Sequence, residues 1–387
     1  MLLYLRPTYL EKFKCDGAAC QSNCCQGWQV VFDAATVAKY RELADDVGAE
    51  IMTHLEPPAE DGSATLRLKA DGRCPFLLST GLCRLQKEWG EEFLADICFS
   101  YPRITYLIGN VLWQALTVTC PVAAELILWP DKPLALEEKE VAPKRLGWAV
   151  DLTEQLAPWG DSWRGVIERY AALLGWREHP LDARLAMLLN MAAELDEVTA
   201  ATALADREAK TEEWLAKMRD FAPPTFTPVE PDQDRGYVEI MAELYSTIYD
   251  RAEWRERIPE LLFAYRAGKE RYNREVWGSY AHIIENYLVN ELWLRLYPFA
   301  FNGSFLHNIK IFITGWKVME FGLRLTAITR PEDSPMNRKD TTALIGKLAS
   351  SLDHNKKGMG TIRRYAEEHW VGMSAADFAA LMLGLGV

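Results

Sequence analysis

The sequence predicts a mainly α-helical protein with a cysteine-rich α+β N-terminal region and a helical C-terminal body. Two observations lead to this fold class. All eight cysteines lie between Cys15 and Cys120. From about residue 131, apolar residues recur at helical spacing, as in DSWRGVIERYAALLGW and LDARLAMLLNMAAEL. We therefore expect a cysteine-rich region at 1–130 and a helical body at 131–387, with the proline-rich segment 222–235 as a long loop or linker.

Within the first region, short patterns predict strands and one longer helix. Residues 28–32 and 65–69 have strand character, and Asp33 is placed to cap a helix that runs through Arg41. Residues 82–97 repeat apolar side chains at helical spacing. Cys83 and Cys98 bracket this segment, so we expect one helix that presents a thiol at each end.

The uncharged stretch 104–124 is about as long as a bilayer span. It contains Gly109-Asn110 between two β-rich runs, a pattern typical of a hairpin turn, which favours a hairpin over a membrane helix. The start of the chain carries several charges and lacks the apolar core of a signal peptide. The sequence therefore predicts a cytoplasmic protein without membrane association.

The formal net charge is −12. A protein that binds nucleic acid as its main partner usually shows an excess of basic residues, because it must neutralise phosphates. We therefore expect no nucleic-acid partner.

The clustering of cysteines predicts a metal site. Thiols confined to one region of a chain without a secretion signal point to metal rather than to a disulfide framework. No CxxC pair is present, and the histidines lie mostly far away in sequence. Thiolates without histidine suit an iron–sulfur cluster or zinc, and the long gaps favour a cluster gathered from several loops. The CxxxCxxC pattern of radical enzymes and the GxGxxG dinucleotide fingerprint are both absent.

Three segments carry a resemblance to a known family. FKCDGAACQSNCCQGWQVVFD resembles the opening of the flagellin lysine N-methylases, and CPFLLSTGLCRLQKEWGEEFLADICFSYPR with LTVTCPVAAELIL resembles the rest of that family's cysteine region. The stretch IIENYLVNELWLRLYPFAF is similar to the family's C-terminal part. The resemblance covers most of the chain, is specific in residues 13–130 and is loose between about 131 and 275. The cysteine region also resembles small zinc- or iron-chelating cysteine-cluster domains.

This resemblance implies methyl transfer from S-adenosyl-L-methionine to the ε-amine of lysines on flagellin, with a [4Fe-4S] cluster. A lysine must lose its proton before it can attack a methyl group, and its ordinary pKa is about 10.4. A dry aromatic pocket would lower that pKa by desolvation. Two alternatives stay open: a non-catalytic zinc- or iron-binding module, and a methylase of another protein target.

The resemblance, together with the sequence pattern, gives two sets of site residues. Trp28, Tyr101 and Arg103 are expected near the cofactor, where Arg103 could pair with the carboxylate of S-adenosylmethionine; a core role for Trp28 and a structural salt bridge for Arg103 are the alternatives. The strongest metal-ligand assignments are Cys74, Cys83 and Cys98. The full set of possible ligands is Cys15, Cys20, Cys24, Cys25, Cys74, Cys83, Cys98 and Cys120.

Overall fold

The structure is a computed structural model that describes most of the chain in two compact units. The described residues are 2–20, 24–27, 30–43, 46–220, 226–228, 233–250, 255–272, 278–301, 303–331, 336–354 and 357–386. One unit comprises residues 1–126 and 135–152, and the other comprises 127–134 and 153–387. Residues 135–152, which follow the boundary predicted at 130, therefore belong to the first unit.

Up to residue 152, short strands alternate with short helices, as expected for an α+β region. These elements are β1 (Leu2–Pro7), β2 (Val31–Phe32), α1 (Ala34–Glu42), α2 (Asp46–Thr53), β3 (Ala64–Thr65), α3 (Arg84–Trp89), α4 (Asp96–Ser100), β4 (Arg103–Ile108), β5 (Val111–Leu116), α5 (Pro121–Leu128), β6 (Leu136–Val141) and β7 (Val150–Asp151).

Five of these strands form one sheet in the order β6-β1-β5-β4-β7. Strand β1 pairs parallel with β5 and antiparallel with β6. Strands β4 and β5 form the predicted hairpin, in which Ile108 pairs with Val111 across Gly109 and Asn110. Gly109 has φ +60°, a conformation that glycine adopts without steric cost.

The predicted strand and cap next to Asp33 are confirmed in a shorter form. Asp33 accepts a hydrogen bond from the Thr36 amide at 2.8 Å and so caps α1. Strand β2 covers only the end of the predicted strand at 28–32, and Trp28 lies outside the described residues. The second predicted strand, at 65–69, is reduced to β3, which pairs with β2.

The single helix predicted over residues 82–97 is wrong. Helix α3 ends at Trp89, a 3-10 turn covers Glu91–Phe93, and α4 begins at Asp96. The interruption is at Gly90, whose φ of +89° and ψ of 177° are far from helical values and accessible mainly to glycine. Cys83 therefore precedes α3 as expected, whereas Cys98 lies inside α4 instead of at the end of a long helix.

From residue 153 the chain is almost entirely helical, which confirms the mainly α fold class. The elements are α6 (Thr153–Leu156), α7 (Ser162–Leu174), α8 (Leu181–Ala200), α9 (Arg207–Lys217), β8 (Thr227–Pro228), α10 (Gln233–Ile248), α11 (Ile258–Tyr272), α12 (Gly278–Leu294), α13 (Phe305–Thr329), α14 (Arg338–Asp353), α15 (Gly358–His369), α16 (Ala375–Leu383) and β9 (Leu385–Gly386). Most of the predicted linker at 222–235 lies outside the described residues; its described part contains β8 and the start of α10. Among the described helices, none is both long and apolar enough to span a bilayer.

Helix α13 is the centre of the helical unit and carries buried charges. Lys317 Nζ lies 2.9 Å from Glu320 Oε2 and 2.9 Å from Asp182 Oδ1 on α8. Arg324 binds the other oxygen of Glu320 at 2.5 Å and donates to the hydroxyl of Tyr265 on α11. These side chains join three helices through a network in which each charge has an opposite partner, as burial of charge requires.

Replacing Gly322 by alanine is expected to destabilise the helical unit. A Cβ at position 322 would lie 1.9 Å from the Tyr245 hydroxyl oxygen and 3.0 Å from a methyl of Leu348. Overpacking of this kind costs about 1–3 kcal/mol, which exceeds the gain of up to about 1 kcal/mol in helix propensity. Urea unfolding measures the change. The control is Gly360→Ala on α15, where nothing lies within 4 Å of the added Cβ; it should stabilise slightly, and equal effects at both positions would contradict the clash.

Candidate metal centre

A tight hairpin brings Cys74 and Cys83 together. The Leu77 amide donates to the Cys74 carbonyl at 3.1 Å, and the Arg84 amide donates to the Phe76 carbonyl at 2.8 Å. Leu77 and Cys83 also form a bridge between the two arms. The turn between them is closed at Gly81, whose φ is +80°. The backbone therefore fixes the separation of these two thiols.

A second turn places Cys24 and Cys25 beside this hairpin. The Cys74 amide donates to the Cys25 carbonyl at 2.7 Å, and the Gly27 amide donates to the Gly72 carbonyl at 3.0 Å. Both adjacent cysteines consequently face the same region as Cys74, although neighbouring cysteines seldom reach a common site.

Six cysteines line one cavity of about 350 Å³. They come from four separate stretches of the first unit, and apolar side chains such as Phe32 and Phe76 complete the wall. The cysteines are Cys15, Cys24, Cys25, Cys74, Cys83 and Cys98. The three strongest sequence assignments are therefore brought together, while Cys20 and Cys120 are absent from the described lining.

Backbone amides donate to several of the sulfurs. The amides of Phe76 and Leu77 donate to Cys74, and those of Leu85 and Gln86 donate to Cys83. The Gly17 amide lies 3.3 Å from the Cys15 sulfur. Donors of this kind stabilise the thiolate form and tune the potential of iron–sulfur centres.

Cys120, which is absent from the described cavity lining, also accepts hydrogen bonds from backbone amides. It directly precedes α5, where the Val122 and Ala123 amides donate to its sulfur. Burial raises the pKa of Cys120 to about 11, and the charges of Cys20 and Cys24 act in the same direction.

The electrostatics of the cavity disfavour the ionisation of several thiols at once when no metal is bound. Burial raises the pKa of Cys74 to about 11, and it also raises the pKa of Cys98, where the charges of Cys74, Cys83 and Cys24 add to the effect. Cys24 is shifted in the opposite direction. The Cys25 thiol donates to the Cys24 sulfur, which lowers the pKa of Cys24 to about 7 and raises the pKa of Cys25. A positively charged metal centre would remove the repulsion among these sulfurs.

The chemistry of the donors suits an iron–sulfur cluster. The sulfurs are soft ligands, they are shielded by apolar walls, and no histidine lies in the described lining. Among the described residues, no three histidine, cysteine or acidic side chains are grouped closely enough to hold a single metal ion in this arrangement. Zinc also accepts thiolates, so residue type alone leaves zinc as the alternative.

Two of the three residues expected near the cofactor line the same cavity. Arg103 begins β4, and its guanidinium lies 5.0 Å from the ring centroid of Phe13. The Tyr101 hydroxyl lies 3.1 Å from the Thr119 hydroxyl, and burial raises the pKa of Tyr101 well above its usual value. Trp28, the third, lies outside the described residues.

Sequence reasoning missed other polar residues of the lining. Lys14, Gln86 and Glu91 line the cavity with the cysteines. Lys14 could have been noticed because it directly precedes Cys15. Gln86 and Glu91 flank the helix break at Gly90, which the helical pattern of residues 82–97 obscured.

Comparison with known proteins identifies relatives. The chain is 33% identical over 139 residues to the "Lysine-N-methylase" of Salmonella typhimurium and to that of Salmonella choleraesuis, and each match covers 35% of this chain and 35% of the relative. It is 33% identical over 142 residues to the "Flagellar biosynthetic protein FliU" of Salmonella muenchen, covering 35% of this chain and 82% of that protein. The match thus spans about a third of the length of the two methylases. No solved structure matches the chain significantly.

A family model described as the FliB lysine N-methylase C-terminal domain matches residues 170–377, which is more than half of the chain. Most of the second unit, including the buried charge network of α13, lies within this match. The protein therefore belongs to the FliB lysine N-methylase family, which confirms the resemblance seen in the sequence.

Proposed function

We propose that this protein transfers methyl groups from S-adenosyl-L-methionine to lysine ε-amines of flagellin, and that it requires a [4Fe-4S] cluster held in the cysteine cavity. The observation that carries the proposal is the joining of six thiols in one cavity within a chain of the lysine N-methylase family. The names of the relatives support lysine as the modified residue and the flagellum as the setting. We further propose that the protein acts in the cytoplasm.

Cys74, Cys83 and Cys98 would hold the cluster, with the fourth ligand from the Cys24–Cys25 turn. All five thiols line the cavity, and the lowered pKa of Cys24 makes it the member of the pair that ionises first. When bound, the cluster would supply iron centres with Lewis-acid character. Cys15, Cys20 and Cys120 remain outside this proposed set.

Arg103 and Lys14 would bind the carboxylate of S-adenosylmethionine. Both line the cavity, and a guanidinium can form two parallel hydrogen bonds with a carboxylate. The aromatic rings of the wall would exclude water from the reacting groups. Because the free amine is the nucleophile, exclusion of water favours reaction by lowering the pKa of an incoming lysine.

The proposal is tested by combining metal analysis with a transfer assay. Protein purified without oxygen is analysed for iron, sulfide and zinc, and is then incubated with S-adenosylmethionine and unmethylated flagellin. Mass spectrometry of flagellin should show additions of one or more methyl groups on lysine. Flagellin whose lysines have been acetylated is the control and should stay unchanged.

Each outcome has a defined meaning. Iron-loaded protein that leaves every lysine mass unchanged would refute flagellin methylation. Methylation of a different protein from the same cell would support a methylase with another target. Zinc in place of iron, together with no transfer, would support the non-catalytic binding module.

A further inference from the structure

Arg145 lies on the stretch between β6 and β7, far along the chain from the cysteines, yet it contacts one wall of the cavity. Its Nη1 donates to the Glu91 carbonyl at 3.1 Å, and its Nη2 donates to the Leu94 carbonyl at 2.8 Å. Its Nε donates to the Asp96 carboxylate at 3.0 Å. One side chain thus holds three points of the segment between Gly90 and α4.

The segment that Arg145 holds is the one that carries Cys98. Glu91, Leu94 and Cys98 all line the cavity. The guanidinium of Arg145 also lies 4.6 Å from the ring centroid of Phe99, the residue after Cys98. Contacts on both sides of Cys98 therefore depend on a residue from another part of the chain.

This segment has few restraints of its own. The helical pattern breaks at Gly90, and α4 is a single short helix of five residues. A second anchor is the Asp96 amide, which donates to the Asp33 carboxylate at 3.0 Å. Lys39 and Tyr40 of α1 also donate to this segment, at the Glu92 and Phe93 carbonyls. Of these supports in the described structure, Arg145 is the one whose contacts include Phe99, the residue that follows Cys98.

The charge of Arg145 also acts on Cys98, where it opposes the effect of burial and of the neighbouring thiolates on the pKa. The Asp96 carboxylate is 2.5 Å from Arg145 and offsets much of this charge. The hydrogen-bonding geometry of the guanidinium should therefore matter more than its charge. Lysine, a point charge without a planar fork, separates these two contributions.

We propose that Arg145 is a positioning residue that fixes the Glu91–Phe99 wall so that Cys98 can bind the iron–sulfur cluster. The inference rests on the proposed function for the cluster itself. Residues that orient metal ligands typically contribute 10- to 100-fold to metal affinity. We expect the loss of Arg145 to weaken iron binding by a factor in that range, although Arg145 contacts no sulfur in the described structure.

The test measures the cluster directly in full-length protein purified without oxygen. Wild type, Arg145→Gln and Arg145→Lys are compared for iron per chain, for the rate of iron loss to a chelator, and for the reduction potential and electron paramagnetic resonance spectrum of the cluster. Both variants should release iron about 10- to 100-fold faster than wild type. A purely structural defect would lower the melting temperature without altering the spectrum of the iron that remains.

Two further variants keep the result interpretable. Arg6→Gln breaks a similar ion pair of the same unit, Arg6 with Glu137 at 2.7 Å, away from the described cavity lining, and should retain iron like wild type. Asp96→Asn keeps the side-chain volume and the backbone bond to Asp33 but weakens the pairing with Arg145. It should therefore also release iron faster than wild type, and it replaces Arg145→Gln in the test if that variant does not fold.

The possible failures are distinct. Wild-type protein without iron would defeat the proposed cluster, and with it this inference. If wild type binds iron but Arg145→Gln releases it at the same rate and with the same spectrum, the role of Arg145 is overturned and the proposed function stands. If Arg145→Gln does not fold, the same comparison is made with Asp96→Asn. Wild-type behaviour of Arg145→Lys would assign the effect to charge and overturn the positioning role.

Discussion

For the proposed cluster and activity, we expect Cys98→Ser to reduce bound iron at least 100-fold and to abolish methyl transfer, whereas Cys20→Ser should retain both. Cys98 lines the cavity on α4, and the charges of Cys74, Cys83 and Cys24 act on its sulfur. Serine keeps the size of the side chain but replaces a soft sulfur by a hard oxygen that stays protonated at neutral pH, so a ligand should be lost outright. The loss should exceed the 10- to 100-fold effect of residues that only orient ligands.

Iron and sulfide analysis under anaerobic conditions checks this result. Cys20 is a suitable control because it belongs to the same cysteine-rich region but is absent from the described cavity lining. A melting curve for each variant shows whether the fold is retained. Full iron content in Cys98→Ser would remove Cys98 from the ligand set, and loss of iron in Cys20→Ser would show that the cluster uses a thiol outside this cavity.

Glu320→Gln will lower the free energy of unfolding of the helical unit by about 3–5 kcal/mol. Glu320 is buried and pairs with both Lys317 and Arg324, which are buried as well. The substitution keeps the volume but removes the carboxylate that Lys317 and Arg324 share. Lys317 keeps Asp182 as a partner, and Arg324 keeps its hydrogen bond to the neutral hydroxyl of Tyr265. An uncompensated buried charge is among the few single changes that cost this much.

The matched control is Glu213→Gln on α9. Glu213 pairs with Lys210 at the same three-residue helical spacing, but both side chains are exposed to solvent. An exposed pair contributes roughly 0–1 kcal/mol, because water screens the charges. Denaturant unfolding of both variants should therefore separate them clearly; equal losses would show that burial of the Glu320 network has no special cost.

The same network predicts a loss of stability in acid. Burial favours the neutral form of Glu320, but the charges of Arg324 and Lys317 outweigh it and hold its pKa at about 2. The unfolded chain has a glutamate pKa of about 4.3. The unfolded state therefore binds the proton first, so the stabilisation is complete above about pH 4.3 and disappears as the pH falls toward 2. Glu320→Gln should lack this part of the pH dependence.

Sequence patterns predicted the local elements better than the assembly of the site. The Gly109-Asn110 hairpin and the Asp33 cap depend on residues close together in the chain, and the structure confirms both. The prediction of one helix over residues 82–97 was wrong because the apolar residues keep helical spacing while the backbone of Gly90 takes a non-helical conformation. Periodicity records which face is buried, and it is insensitive to one residue that leaves the helix.

Sequence patterns were also insufficient for the cavity, whose residues are far apart in the chain. Cysteine clustering predicted a common site, but spacing could not tell that Cys24 and Cys25 both line it while Cys20 and Cys120 do not. That division depends on hydrogen bonds such as the one from the Cys74 amide to the Cys25 carbonyl. Arg145 gave no sequence signal, because its contacts with Glu91 and Asp96 join segments that no local pattern connects.

Strand β1 lies inside the sheet, between β5 and β6, although it is the first strand of the chain. During synthesis on the ribosome, β1 therefore cannot pair with β6 until β6 has been made, and the wall that carries Cys98 lacks its contacts with Arg145 until that residue has been made. At translation rates of 5–20 residues per second, the roughly 50 residues from Cys98 to β7 take about 3–10 s. For that interval the six cysteines that line the cavity have been synthesised but the cavity is incomplete, so the proposed cluster should load after the first unit has left the ribosome.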